Sequence, residues 1–175
     1  MYSLKELQIR NNKYLLYSIY FGFGILFGLM QISFIPLMVI NDSIPNLVML
    51  YAIWLVLREG RIIGYLSAFI LGMIYDILTL QVVGVSSLSF LFAVLFAGIF
   101  YRKDKEFLIL SSYRFILIVF IAALISNLIQ NIFYLKLSDI DFWTTFIFKW
   151  LGNTVYTAVV ATIPFFISFR NQISK

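Results

Sequence analysis

Asp76 is the residue on which chemistry in this chain would depend. It sits near the end of an apolar run, Arg61–Leu80, that is long enough to cross a bilayer. A carboxylate in hydrocarbon is costly and marks function by default. Other spans contribute amides: Gln31, Asn127, Gln130, Asn131 and Asn153. These groups can donate and accept hydrogen bonds but do not attack carbonyls or relay protons at neutral pH. The chain contains no histidine and no cysteine, so zinc, haem and thiolate chemistry lose their usual ligands. There is no phosphate-binding glycine loop, no serine nucleophile motif and no pair of acids at catalytic spacing. The expected chemistry is hydrogen bonding, without catalysis, cofactor or metal.

Small residues surround the acid. Gly60, Gly64, Ala68 and Gly72 precede Asp76 at intervals of four. Positions four apart share a helix face, so the acid lies on the face that permits close packing. Ser89, Ala93 and Ala97 form a second such column, and Gly24 and Gly28 form a GxxxG pair. These are the expected packing or partner-interface positions.

The elements that must position these residues follow from composition. The chain has 175 residues, of which 62% are hydrophobic and only 12% charged. Soluble domains are about 25% charged, so this chain is read as an integral membrane protein. The apolar runs are continuous, which excludes an alternating membrane barrel. The net charge of +5 marks cytoplasmic loops and anionic-lipid contact, not nucleic-acid binding. The first apolar run is too long for a signal peptide.

The fold expected is an all-α, polytopic, six-helix membrane bundle in one domain, 1–175. Its spans cover about 14–38, 45–58, 61–80, 85–101, 111–135 and 142–169. Residues 1–13 suit a short interfacial helix. Asp42 and Ser43 are N-cap candidates ahead of Pro45, which suits a first helical turn. The second span is short; it begins before Pro45, sits in thinned bilayer, or packs inside the bundle. With alternating sides, eleven of the 13 basic residues fall on one side, leaving Lys136 and Lys149 on the other. Positive charge marks the inside, so both termini are expected in the cytoplasm.

Depth follows at 1.5 Å per residue: Asp76 lies ~22 Å from Arg61, Gln31 ~25 Å from Tyr14, and Asn127 and Asn131 ~20–26 Å from Arg114. With Gln130, and with Asn153 nearer the midplane, they form an expected outer-layer polar cluster. Three readings of Asp76 follow: a fastening that accepts hydrogen bonds from Asn or Ser, an outward-open pocket or docking groove, or a solvated acid. The packed column disfavours the last. The third helix is expected to be the central one.

The series PNLVMLYAIWLVLREG, GYLSAFILGMIYDIL and VGVSSLSFLFA resembles the rod shape-determining protein MreD family. Pro45-Asn46, then Gly64, Phe69, Gly72 and Asp76, then Gly84 carry the likeness, over residues 44–101. The resemblance implies a non-enzymatic scaffold of the bacterial rod complex in the cytoplasmic membrane. It implies pairing with an MreC-like bitopic protein, and links to RodA, a penicillin-binding transpeptidase and, indirectly, MreB filaments. It also implies a fold similar to the S components of energy-coupling-factor transporters. A vitamin-binding transport subunit is therefore the alternative function.

Overall fold

The computed structural model describes residues 13–40, 43–103, 106–135 and 142–165. Among the described residues the regular structure is helical, joined by turns, with an isolated bridge pair between Ile40 and Ser43. The helices are α1 Lys13–Ser33, α2 Leu47–Glu59, α3 Arg61–Leu78, α4 Val85–Ile99, α5 Glu106–Leu110, α6 Tyr113–Leu135 and α7 Phe142–Val160. A 3₁₀ turn, Ile35–Met38, follows α1. Among the described residues, four stretches are long and apolar enough to cross a membrane: Tyr14–Ser33, Arg61–Leu78, Tyr113–Phe133 and Phe146–Phe165. The expected interfacial helix at 1–13 falls almost wholly outside the described residues.

α1, α3 and α4 end earlier than hydropathy suggests. α1 stops at Ser33, because Pro36 enters the first turn of the 3₁₀ segment and cannot continue an α-helix. α3 stops at Leu78, where Thr79 folds its N–H and hydroxyl back onto the Tyr75 carbonyl. The N-cap of α4 is Gly84, whose φ of +101° suits glycine. The stretch before α6, expected as loop, contains the short α5, packed on α2 and α6.

The central helix is α2, not α3. It has 13 residues, and every side chain from Val48 to Leu57 except Trp54 is buried. A helix that is apolar all round belongs inside a bundle. α2 accordingly touches α1, α3, α4, α5 and α6. Of the three explanations for its shortness, interior packing is the one seen. Its N-cap is Asn46, whose Oδ1 accepts the Met49 N–H at 2.9 Å; Ser43 does not cap it, the other expected cap, Asp42, lies outside the described residues, and Pro45 precedes the cap. It ends at Gly60, φ +105°, which turns the chain at once into α3.

α3 is two-faced. Gly64, Ala68, Leu71, Gly72 and Asp76 are buried, while Ile62, Leu66, Phe69, Ile70 and Ile77 lie exposed on the other side. In a membrane the exposed face meets acyl chains. α3 packs on α2 and α4, α4 also on α6, and α6 on α7.

Candidate functional site

The polar side chains inside the bundle gather where α2 and α4 begin. The start of any helix leaves backbone N–H groups without intrahelical acceptors. In water this is tolerable; in hydrocarbon each such group costs several kcal/mol. Both short helices begin at the same end of the bundle, the end where α1, α3 and α6 finish.

Asp76 serves the start of α4. It is fully buried (0% exposed). Its Oδ2 accepts the Gly84 N–H at 2.7 Å, and both carboxylate oxygens lie 3.2 Å from the Ser86 nitrogen. The negative charge faces the positive end of the α4 dipole, which strengthens both bonds. The fastening reading expects donors from Asn or Ser, and Ser86 is one of the two donors. The donors are backbone groups: an acid from α3 caps a helix that has no capping side chain of its own.

Several residues serve the start of α2. Gln31 Oε1 accepts the Leu47 N–H at 2.7 Å, and its Nε2 donates to the Pro45 carbonyl at 2.8 Å. Thr157 Oγ1 accepts the Asn46 N–H at 3.1 Å, and Asn153 Oδ1 accepts the Ile44 N–H at 2.9 Å. Asn153 and Thr157 are one turn apart on α7. The α2 entry is thereby held between α1 and α7.

The remaining amides join helices pairwise. Asn127 Nδ2 donates to Thr154 Oγ1 at 3.0 Å, linking α6 to α7. Gln130 Nε2 donates to Ser89 Oγ at 2.9 Å, linking α6 to α4. Asn131 is buried, and its Nδ2 has no partner among the described residues; the same holds for Ser86 Oγ and Ser126 Oγ. The outer-layer residues thus lie in separate local groups, and the hydrogen bonds described above do not link Asp76 to any of the amides.

Close approach makes these bonds possible. A Cβ on Gly72 would lie 2.5 Å from Ser87 Cα and 2.7 Å from Ser87 N, so α3 meets the backbone of α4 directly. A Cβ on Gly64 would strike Val56 of α2. Ala68, Ala93 and Ala97 are fully buried in the same contacts. On α1, a Cβ on Gly24 would meet only the tip of Leu71, at 2.5 Å, while Gly28 has Leu78 at an ordinary 3.9 Å. All these small residues lie on internal packing faces.

The opposite end carries a cluster that the sequence reading missed. The Arg58 guanidinium lies 4.7 Å from the Trp54 ring centroid and 5.9 Å from that of Tyr20. Its Nε is 3.4 Å from Glu59, which also accepts the Tyr20 hydroxyl. Arg61 Nε donates to the Gly98 carbonyl at 3.0 Å. The spacing of Trp54 and Arg58, one turn apart near a helix end, was the available signal. Asn46 could likewise have been found, since a cap residue directly precedes the apolar run.

Among the comparisons with known proteins, the family model for rod shape-determining protein MreD matches residues 8–172. No curated protein and no solved structure matches the chain.

Proposed function

The chain belongs to the MreD family of rod shape-determining proteins, and from that premise we propose that it is a non-enzymatic scaffold of the rod complex. It sits in the bacterial cytoplasmic membrane as six spans with both termini inside. It binds an MreC-like bitopic protein and helps couple MreB filaments to peptidoglycan synthesis by RodA and its transpeptidase.

One observation carries the scaffold reading. The buried acid and most of the buried amides are engaged in holding helices together, at α2 and α4 above all. A carboxylate that caps a helix is poorly placed to move protons or grip a substrate. The same observation weighs against the vitamin-binding alternative, which would need Gln31, Asp76 and Asn127 turned toward a ligand. What such a body offers a partner is shape: the long apolar faces of α1, α3, α6 and α7.

Gly64 and Gly72 are internal, so a leucine at either position would break the bundle and report nothing about partners. The better test tags the wild-type chain in a rod-shaped bacterium and asks what it co-purifies with. An MreC-like protein and RodA are the expected captures, with rounding of the cells when the gene is removed. Capture of an energy-coupling ATPase module with a bound vitamin would overturn the scaffold reading.

A further inference from the structure

The end of the bundle where α2 and α4 begin has an unusual surface. Two of its connections, 34–46 and 79–84, are largely described. Their outward side chains are apolar: Leu37 is 81% exposed and Leu80 93%, with Ile40, Val82 and Val83 also more than half exposed. Apart from Asp42, which lies outside the described residues, neither connection contains Asp, Glu, Lys or Arg. The third connection at this end, 136–141, lies outside the described residues and contains Lys136, Asp139 and Asp141, while the opposite end carries Arg58, Glu59, Arg61, Arg102 and Lys103.

Much of the backbone of these connections is satisfied within the protein, although the Val82 and Val83 N–H groups have no acceptor among the described residues. In the second, the N–H groups of Thr79, Leu80, Gln81, Gly84, Val85 and Ser86 all find acceptors within the protein. In the first, Ile40 and Ser43 exchange bonds both ways, Ile44 is taken by Asn153 and Asn46 by Thr157. The Met38 carbonyl receives the Tyr156 hydroxyl. A loop in water has no need of this internal satisfaction, whereas backbone in hydrocarbon requires it.

Helix length gives the depth. Leu47 stands only ~17 Å along α2 from Arg58, and Val85 ~21 Å along α4 from Ile99, against a hydrocarbon core of ~30 Å. If the charged end marks one boundary, the α2 and α4 starts fall short of the other.

We propose that this surface is a lipid-contact surface: segments 34–40 and 79–83 are seated in the acyl region of the adjoining leaflet, which is locally thinned around them. Lipid, not water or protein, covers Leu37, Ile40, Leu80 and Val83. The inference rests on the membrane-spanning character of the chain and not on the rod-complex reading, so either can fail without the other.

The chain has no cysteine, so single-cysteine variants report cleanly. Ile40→Cys, Leu80→Cys and Val83→Cys, with Lys103→Cys as the water-facing control, would each carry a small fluorophore. The purified protein is reconstituted alone in phosphatidylethanolamine–phosphatidylglycerol vesicles. Quenching by acyl-brominated lipid is compared with quenching by aqueous iodide. Lipid quenching severalfold stronger than iodide quenching at 40, 80 and 83, with the reverse at 103, is expected. Iodide quenching at 80 and 83 equal to that at 103 would overturn the proposal. If those sites resist an impermeant thiol reagent in cells yet are iodide-quenched in vesicles of the protein alone, a protein partner covers the surface, and the lipid assignment is wrong.

Discussion

Adding one methyl group at Gly72 should separate two helices. The Cβ of Gly72→Ala would sit 2.5 Å from Ser87 Cα, 2.7 Å from Ser87 N and 3.0 Å from the Ser86 carbonyl carbon. All three neighbours are backbone atoms, so no side chain can swing aside. Ordinary carbon contacts lie at ~3.5–4.0 Å, so α3 and α4 must part by ~1 Å at this level. Asp76 is one turn further along the same face. Its bonds of 2.7 Å to Gly84 and 3.2 Å to Ser86 would lengthen beyond useful range. Overpacking costs about 1–3 kcal/mol, and each weakened charge-assisted bond adds about 1 kcal/mol or more. The total is about 3–5 kcal/mol, or a fall in Tm of roughly 10 °C. Three other glycines supply the controls. Gly24→Ala meets only the flexible tip of Leu71 and should lose about 1 kcal/mol. Gly28→Ala, with Leu78 at 3.9 Å, and Gly22→Ala, with nothing within 4 Å, should be neutral or slightly stabilising. Thermal unfolding of the purified variants in lipid nanodiscs, followed by size-exclusion of the surviving folded fraction, gives the ranking. A Gly72→Ala protein as stable as Gly22→Ala would refute the direct backbone contact between α3 and α4.

Further outcomes follow from the capping geometry and are read by the same unfolding assay. Asp76→Ala should cost about 3–5 kcal/mol by stranding the buried Ser86 N–H and the part-buried Gly84 N–H, and Asp76→Asn clearly less, because a carbonyl oxygen remains; equal losses would mean that charge alone matters. Gln31→Ala should cost about 2–4 kcal/mol, and combining it with Thr157→Val should be non-additive, since both serve the α2 entry. Gly84→Ala has open space around it but φ of +101°, so its loss of about 1–2 kcal/mol measures backbone strain free of clash. Trp54→Ala should lower stability and raise the reactivity of the Arg58 side chain toward a guanidinium-modifying reagent, as the ring no longer covers it.

The small-residue column was legible because helix periodicity is a local property. Gly64, Ala68, Gly72 and Asp76 had to share a face once 61–78 was helical, and in hydrocarbon a face of small residues and an acid has little choice but to turn inward. The depths of Gln31, Asp76, Asn127 and Asn131 were likewise arithmetic on a known rise per residue. The identity of their partners was not. Equal depth says nothing about azimuth, and azimuth depends on which helices neighbour one another. Depth places Asp76 beside amides, whereas the nearest donors belong to the turn that its own helix leads into.

Helix order explains the other misjudgement. The four-residue column of small residues points to α3 as the central helix, and the shortness of α2 leaves interior packing as one of three explanations. Length measures fitness to cross a bilayer; centrality is measured by apolar surface on every side, which α2 has and α3 lacks. The sequence by itself determined an all-helical membrane chain, the packed faces and the end at which polar groups collect, since these follow from composition and period. Only the tertiary structure decided that α2 fills the interior and that Asp76, Gln31, Asn153 and Thr157 complete the starts of two short helices. The reason is physical: an unsatisfied N–H inside a membrane must be met by whatever side chain packing brings within 3 Å or so, and packing is a property of the whole chain.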